Sequence, residues 1–366
     1  MMKVTLTNEI LSYIIEIEHN RYKVSSVKLS KPVMNRLRKN SKKKSSYASN
    51  KIEGNPLSEK QVDEVIERDE RKHYLKPEQE VRNYFLALNY LEEKVSKKEK
   101  FSQKLILDVQ KLVEKGASKE KIGLRGPMPP GVLFAVYDSK TGNPDYIPPE
   151  YCDIPELLDE LVEYVNTTDD HPLIVAAVVH YQLVTIHPFE DGNGRTARLL
   201  SGYIMDLNGY GFNGIGSLEE YFAYDIDEYY ESIQMGLPAL YYSGRENPPH
   251  PEIWINYFLR MVKLYSGKVC DLQLASEEED IAGSLSFLKG KEKELLQFLI
   301  RNYRGEFTPI EVSRELSVSN KTVINRLAVL VKNGFAVPAF ANQRILSYEL
   351  SEFTKDHQKE IMKEIS

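Results

Sequence analysis

His187-Pro188-Phe189-Glu190-Asp191-Gly192-Asn193-Gly194-Arg195-Thr196-Ala197-Arg198 gathers a titratable base, two carboxylates, two glycines and two arginines into one short run. Pro188 stops any helix that precedes it, because it donates no N–H and disfavours helical geometry in the residue before it. Gly192 and Gly194 let the backbone turn so that its N–H groups face one point, a nest suited to phosphate oxygens. Leu199, Leu200, Tyr203 and Ile204 follow at helical spacing, so the nest opens a helix whose N-terminus favours anions. Arg195 and Arg198 stand three apart on its first turn and share a face. Their guanidinium forks suit bidentate contacts with phosphate. His187 is the one group of the run whose ordinary pKa lies near neutrality, which makes it the natural general base. Asp191 is a hard oxygen ligand suited to magnesium, the usual companion of a triphosphate. Glu190 receives no role. The parts serve charge stabilisation on a transferring phosphoryl group with proton transfer beside it.

Competing readings of the glycines are weaker. Gly192-x-Gly194-x-x-Ala197 fits a relaxed dinucleotide fingerprint, which needs a strand just before it. The apolar run Val175 to Ile186 reads equally as strand or helix. His187 to Asp191 intervene, however, and the strand–helix alternation of a doubly wound sheet is missing. No Gly-x-x-x-x-Gly-Lys-Ser/Thr run occurs, which removes the P-loop.

The run resembles, at every defined position, the signature His-Pro-Phe-x-Asp-Gly-Asn-Gly-Arg-x-x-Arg of Fic-domain proteins. That resemblance implies a mainly α fold with a helical Fic core and a β-hairpin flap. It also implies an enzyme that transfers AMP from ATP to a protein hydroxyl and releases pyrophosphate. By that similarity His187 deprotonates a target Ser, Thr or Tyr, and Asp191 holds Mg2+ between the α- and β-phosphates. Gly192, Asn193 and Gly194 line the anion hole, while Arg195 and Arg198 bind the outer phosphates. Upstream, Ser49-Asn50-Lys51-Ile52-Glu53-Gly54 resembles the inhibitory motif Ser/Thr-x-x-x-Glu-Gly/Asn found on a helix before many Fic cores. Ser49 and Glu53 share a helix face, and Gly54 is a good helix-ending residue. The similarity implies that Glu53 pairs with Arg198, so that ATP binds in a non-productive pose.

Between Gly123 and Pro149 proline and glycine cluster and helical periodicity vanishes. Val132 to Val136 and Tyr146-Ile147 read as two short strands around a turn at 139–143. In Fic proteins the flap lies there, so a protein substrate is expected to dock on 132–147 by strand addition. Asp225 to Ile233 carries the pair Tyr229-Tyr230, which resembles the family's adenine-contacting segment. Tyr230 with Ile233 would flank the base, although in a chain with 23 tyrosines a core Tyr is a strong rival.

A chain of 366 residues is long enough for two or three domains. The reading divides it into a helical N-terminal region with the inhibitory helix (1–105), the catalytic core (106–268) and an acidic linker (269–284). A winged helix-turn-helix (285–350) and a tail (351–366) complete it. In the first region Val81, Phe85, Leu86, Leu88 and Leu91 mark a buried helix side, and the basic stretch from Arg36 to Lys44 reads as a solvated face. Near the end, Thr308-Pro309-Ile310-Glu311 carries the cues of a helix start, and a second helix is expected from Asn320 to Lys332. Phe335 to Val337 and Arg344 to Tyr348 then read as strands. That order resembles a winged helix-turn-helix with Lys321, Asn325 and Arg326 exposed on its recognition helix, facing DNA or a protein partner.

A net charge of −6 and a pI near 5.8 argue against a whole chain built for nucleic acid. Cys152 and Cys270 stand far apart, so neither a disulfide framework nor a zinc site is indicated. The first residues lack the apolar stretch of a signal peptide. The most apolar run, Leu173 to Val179, is far short of the roughly 20 residues a membrane helix needs. A soluble cytoplasmic protein without a membrane partner is expected, and the sequence leaves monomer and homodimer both open. Two functions from different classes remain: a self-inhibited AMP transferase, or a DNA-binding regulator whose Fic core senses nucleotide.

Overall fold

The computed structural model describes residues 2–27, 29, 31–68, 71, 73–118, 122–137, 142, 144–237, 247–341 and 344–365. Helices α1 (Asn8–Ser26), α2 (Lys31–Ile52), α3 (Glu59–Glu67), α4 (Lys76–Ser96) and α5 (Gln103–Glu114) come first. Strands β1 (Val136–Tyr137) and β2 (Pro144–Tyr146) follow, then α6 (Ile154–Thr167), α7 (Pro172–Ile186) and α8 (Asn193–Leu207). Helices α9 (Glu219–Tyr224), α10 (Ile226–Gln234) and α11 (Pro251–Ser286) come next. The C-terminal elements are α12 (Gly290–Asn302), α13 (Pro309–Glu315), α14 (Asn320–Lys332), β3 (Ala336–Ala341), β4 (Arg344–Leu350), α15 (Glu352–Asp356) and α16 (Gln358–Ile365). The fold is mainly helical, as the motif implied.

Two compact units form. The first joins residues up to Val24 with Arg36–Cys270; the second joins Ser25–Asn35 with residues from Asp271 onward. At the centre of the first unit α7 packs on α8, with α4 and α5 against α8. From Leu173 to Ile186 the chain carries no Asp, Glu, Lys or Arg, and nearly every side chain of α7 is buried. A helix apolar all round belongs inside. Pro172 occupies its first turn, where a missing N–H is harmless. The segment before the glycine-rich turn is thus a helix, which disposes of the dinucleotide reading.

Antiparallel pairing of β1 with β2 (Val136↔Tyr146, Tyr137↔Pro144) forms the expected hairpin, shorter than its apolar residues suggested. Most of its expected turn, 139–143, lies outside the described residues. Tyr146 anchors the hairpin to the core by donating to the Thr185 carbonyl at 2.7 Å.

Three expectations need correction. In α4 the buried side is Val81, Tyr84, Ala87 and Leu91, while Leu86 is 41% exposed. Helical spacing places 81, 84, 87/88 and 91 on one stripe, and position 86 lies off it. Residues 269–284 are not a linker but run within α11. No proline interrupts Asp271 to Ser286, and its Leu, Ala and Glu are good helix formers. Nor is 351–366 a loose tail: α15 and α16 pack on the second unit, where Ile361 is fully buried among Leu295, Leu299 and Phe335. In that unit α12, α13 and α14 precede the antiparallel β3–β4 hairpin, whose Tyr348 also bridges Phe307 from the segment before α13. No described helix is long and apolar enough to cross a membrane.

Candidate active site

His187 caps α7 in the left-handed conformation (φ 51°, ψ 57°), which swings its ring away from the helix axis. Its Nδ1 lies 3.2 Å from the Val184 carbonyl. A carbonyl only accepts, so Nδ1 carries the proton and Nε2 keeps its lone pair. Burial pushes the imidazole down to about 4, the Val184 hydrogen bond opposes this, and Arg125 adds to the fall. At neutral pH the ring is therefore a neutral base.

The turn after it is locked by Asn193. Its side chain accepts from the Phe189 N–H at 3.0 Å and donates to the Phe189 carbonyl at 2.9 Å. That amide holds the loop's shape, so what Asn193 offers an anion is its main-chain N–H. Gly192 sits at φ 82° as the N-cap of α8, a conformation glycine adopts without strain. A side chain there would also run into Glu114. Asp191 Oδ1 accepts from the Gly192 N–H at 2.8 Å and from Arg195 Nη2 at 3.2 Å.

The two arginines differ in their surroundings. Arg195 is buried, donating to Glu114 at 2.9 Å and lying 3.9 Å from Glu80. Burial raises Glu114 to about 7 against the pull of Arg195. Arg198 meets α2 instead. Its Nε donates to Ser49 Oγ (2.8 Å), its Nη2 to the Ser49 carbonyl (3.0 Å) and to Glu53 Oε1 (2.6 Å). Its Nη1 reaches Tyr229 Oη at 3.3 Å. The Glu53 carboxylate also lies against Gly194, where a Cβ would overlap it. A carboxylate thus stands at the N-terminus of α8, where the open N–H groups and the second arginine meet.

Ser49, Glu53 and Arg198 are brought together, as are His187, Asp191, Gly192, Asn193, Gly194 and Arg195. Tyr229 is fully buried, with its hydroxyl between Arg198 and His180 Nε2 (2.8 Å) and its ring among Phe222, Trp254 and Tyr257. It supports Arg198 rather than offering a face to a base. Tyr230 next to it is 42% exposed. On α14 Lys321 and Asn325 are exposed and Arg326 is half-buried. Sequence reasoning missed Glu114 and Arg125, whose partners lie 81 and 62 residues away.

A left-handed histidine at a helix end, a locked glycine turn and a helix N-terminus with two arginines thus lie together on a helical scaffold. Residues 51–205 match the family model described as Fic/DOC family. Residues 51–205 thus carry a Fic domain. It is 27% identical over 204 residues to protein adenylyltransferase Fic of Drosophila grimshawi, covering 54% of this chain and 40% of that protein. It is 46% identical over 67 residues to protein adenylyltransferase fic-1 of Caenorhabditis elegans, covering 18% of this chain and 13% of that one. The chain spans less than half the length of these relatives. Among solved structures, a Fic family protein from Desulfovibrio desulfuricans G20 superposes with a TM-score of 0.61 at 20% identity. The match covers 96% of this chain and 98% of that one, a likeness of fold.

Proposed function

We propose that the protein is a self-inhibited protein adenylyltransferase, which transfers AMP from ATP to a Ser, Thr or Tyr hydroxyl of a target protein. The observation that carries this is the neutral His187, its Nε2 lone pair set beside a helix N-terminus built for phosphate. The target hydroxyl gives its proton to Nε2 as its oxygen attacks the α-phosphorus. The bond from that phosphorus to the bridging oxygen breaks, and pyrophosphate leaves. The main-chain N–H groups at the start of α8 and the guanidinium of Arg198 stabilise the charge on the departing phosphates. Mg2+ would be held by Asp191, a single hard carboxylate whose remaining partners would be phosphate oxygens and water, the usual pattern for this ion. Such an ion would neutralise charge on the phosphate chain. Relatives named protein adenylyltransferase support the same reading.

Self-inhibition is read from Glu53. Its carboxylate holds Arg198 Nη2 and lies over Gly194, so it stands where an outer phosphate would sit. ATP would then bind with its α-phosphorus out of line with the acceptor. A protein segment would lie along the flap, where Leu133 and Tyr137 are exposed. Incubation of wild type and His187→Ala with lysate and ATP labelled at the α-phosphate tests the reading: protein labelling in the first and none in the second is expected.

A second reading, of a regulator that docks through its C-terminal unit, rests on α14. Lys321 and Asn325 are exposed there, but so are Ile324 and, on the hairpin, Phe340 and Leu346. That mixture of basic and apolar groups suits a protein partner as well as a duplex.

A further inference from the structure

Arg125 is only 5% exposed, yet its guanidinium donates to main-chain carbonyls rather than to a carboxylate. Nε donates to the His187 carbonyl at 2.9 Å, and Nη2 donates to the carbonyl of Pro149, just after β2. Its own N–H donates to the Pro188 carbonyl at 2.9 Å, next to a bridge between Leu124 and Phe189. The guanidinium stacks on Phe134, 4.7 Å from the ring centre, and that ring lies 6.0 Å from the His187 imidazole. One side chain thus ties both arms of the flap to His187, while the main chain of the same residue holds Pro188. Burying this cation is costly; the nearby charge of Glu150 offsets part of that cost, and several hydrogen bonds to main-chain carbonyls hold the guanidinium in place. The left-handed backbone of His187 is strained for a non-glycine residue, and the Arg125 bond to its carbonyl helps to hold it there.

The geometry points to Arg125 as a positioning residue that couples placement of the flap to placement of the general base. This rests on the AMP-transfer reading of His187. A target segment that seats against the flap would load Phe134 and the Pro149 carbonyl. Arg125 passes that constraint to the His187 carbonyl, so the acceptor hydroxyl and Nε2 are brought into register by one rigid fork. Lysine has no such fork and cannot span both carbonyls.

The test uses the full chain carrying Glu53→Gly, alone and with Arg125→Lys or Arg125→Gln. Four quantities are read: ATP affinity, the transfer rate at saturating ATP, thermal stability, and the titration of the His187 ring by NMR. Arg125 touches none of the phosphate-binding groups, so ATP affinity should be unchanged in both variants. The transfer rate should fall about 10- to 100-fold in both, the loss expected from misplacing a reacting group by about 1 Å. The charged groups that bear on His187 are Arg125, Glu53 and Asp191. With Glu53 absent throughout, Arg125→Gln should raise the His187 titration midpoint, and Arg125→Lys should raise it less. An unmoved midpoint with an undiminished rate overturns the proposal. So does a rate loss that only tracks lost ATP affinity and lost thermal stability, which a merely structural arginine would give. The ring titration needs no turnover. Absence of AMP transfer in every protein, Glu53→Gly alone included, would therefore strike the functional reading, while the midpoints still judge Arg125.

Discussion

Glu53→Gly removes one carboxylate from Arg198 and leaves its other partners, Ser49 and Tyr229, in place. A charge-assisted hydrogen bond of this kind contributes about 1.5 to 3 kcal/mol. The Glu53 side chain is 31% exposed, so solvent screening moves the figure to the lower half, about 1.5 to 2 kcal/mol. At 1.4 kcal/mol per decade, that is roughly a 10- to 30-fold gain in occupancy of the productive ATP pose. Glu53→Ala should do nearly the same, which separates the lost carboxylate from the extra backbone freedom of a second glycine beside Gly54. Ser49→Ala should do less, because it removes a neutral acceptor and leaves the ion pair. Arg198→Ala should not activate, since the anchor for the inhibitor is also the anchor for the phosphate. The assay is incorporation of α-labelled AMP into protein across a series of ATP concentrations. Equal incorporation by wild type and Glu53→Gly throughout that series would refute self-inhibition through Arg198.

Other consequences follow from the same geometry. Because burial holds His187 near 4, its base form is fully present at neutral pH and is lost as the pH falls through that value. The acidic limb of the transfer rate should thus lie well below the ordinary histidine range, and a limb centred near 6.5 would contradict the assigned environment. Glu114→Ala strands the buried Arg195 charge and should destabilise the fold by about 3 kcal/mol, read by denaturant unfolding; a loss under about 1 kcal/mol would mean that Glu80 and Asp191 suffice. If α14 meets a duplex, Lys321→Ala with Arg326→Ala should weaken binding by the full-length protein and flatten its salt dependence. Binding to duplex that shows no salt sensitivity would leave that surface to a protein partner.

Much of the site was legible because it is contiguous. His187, the glycine turn and the two arginines fall within one turn and the helix it starts, where spacing translates directly into geometry. The pairing of Ser49 and Glu53 with Arg198 spans some 150 residues, and it came from a motif rather than from periodicity. Glu114 and Arg125 carried no such mark. Glu114 looks like any carboxylate at the end of an amphipathic helix until α5 packs against α8. Arg125 sits in a proline-rich loop whose path only the fold defines. Tyr229 was misjudged in role because the spacing of a tyrosine pair does not tell which ring turns inward. Residues 269–284 were read as a linker from their acidic composition, although strong helix formers with apolar contacts at one face make helix.

The most direct measurement compares protein labelling by ATP carrying the label on the α-phosphate with labelling by ATP carrying it on the γ-phosphate. Glu53→Gly should transfer the α-label to protein and not the γ-label, and adding His187→Ala should abolish transfer. Protein labelled from the γ-phosphate, or α-labelling that survives loss of His187, would contradict AMP transfer by this site.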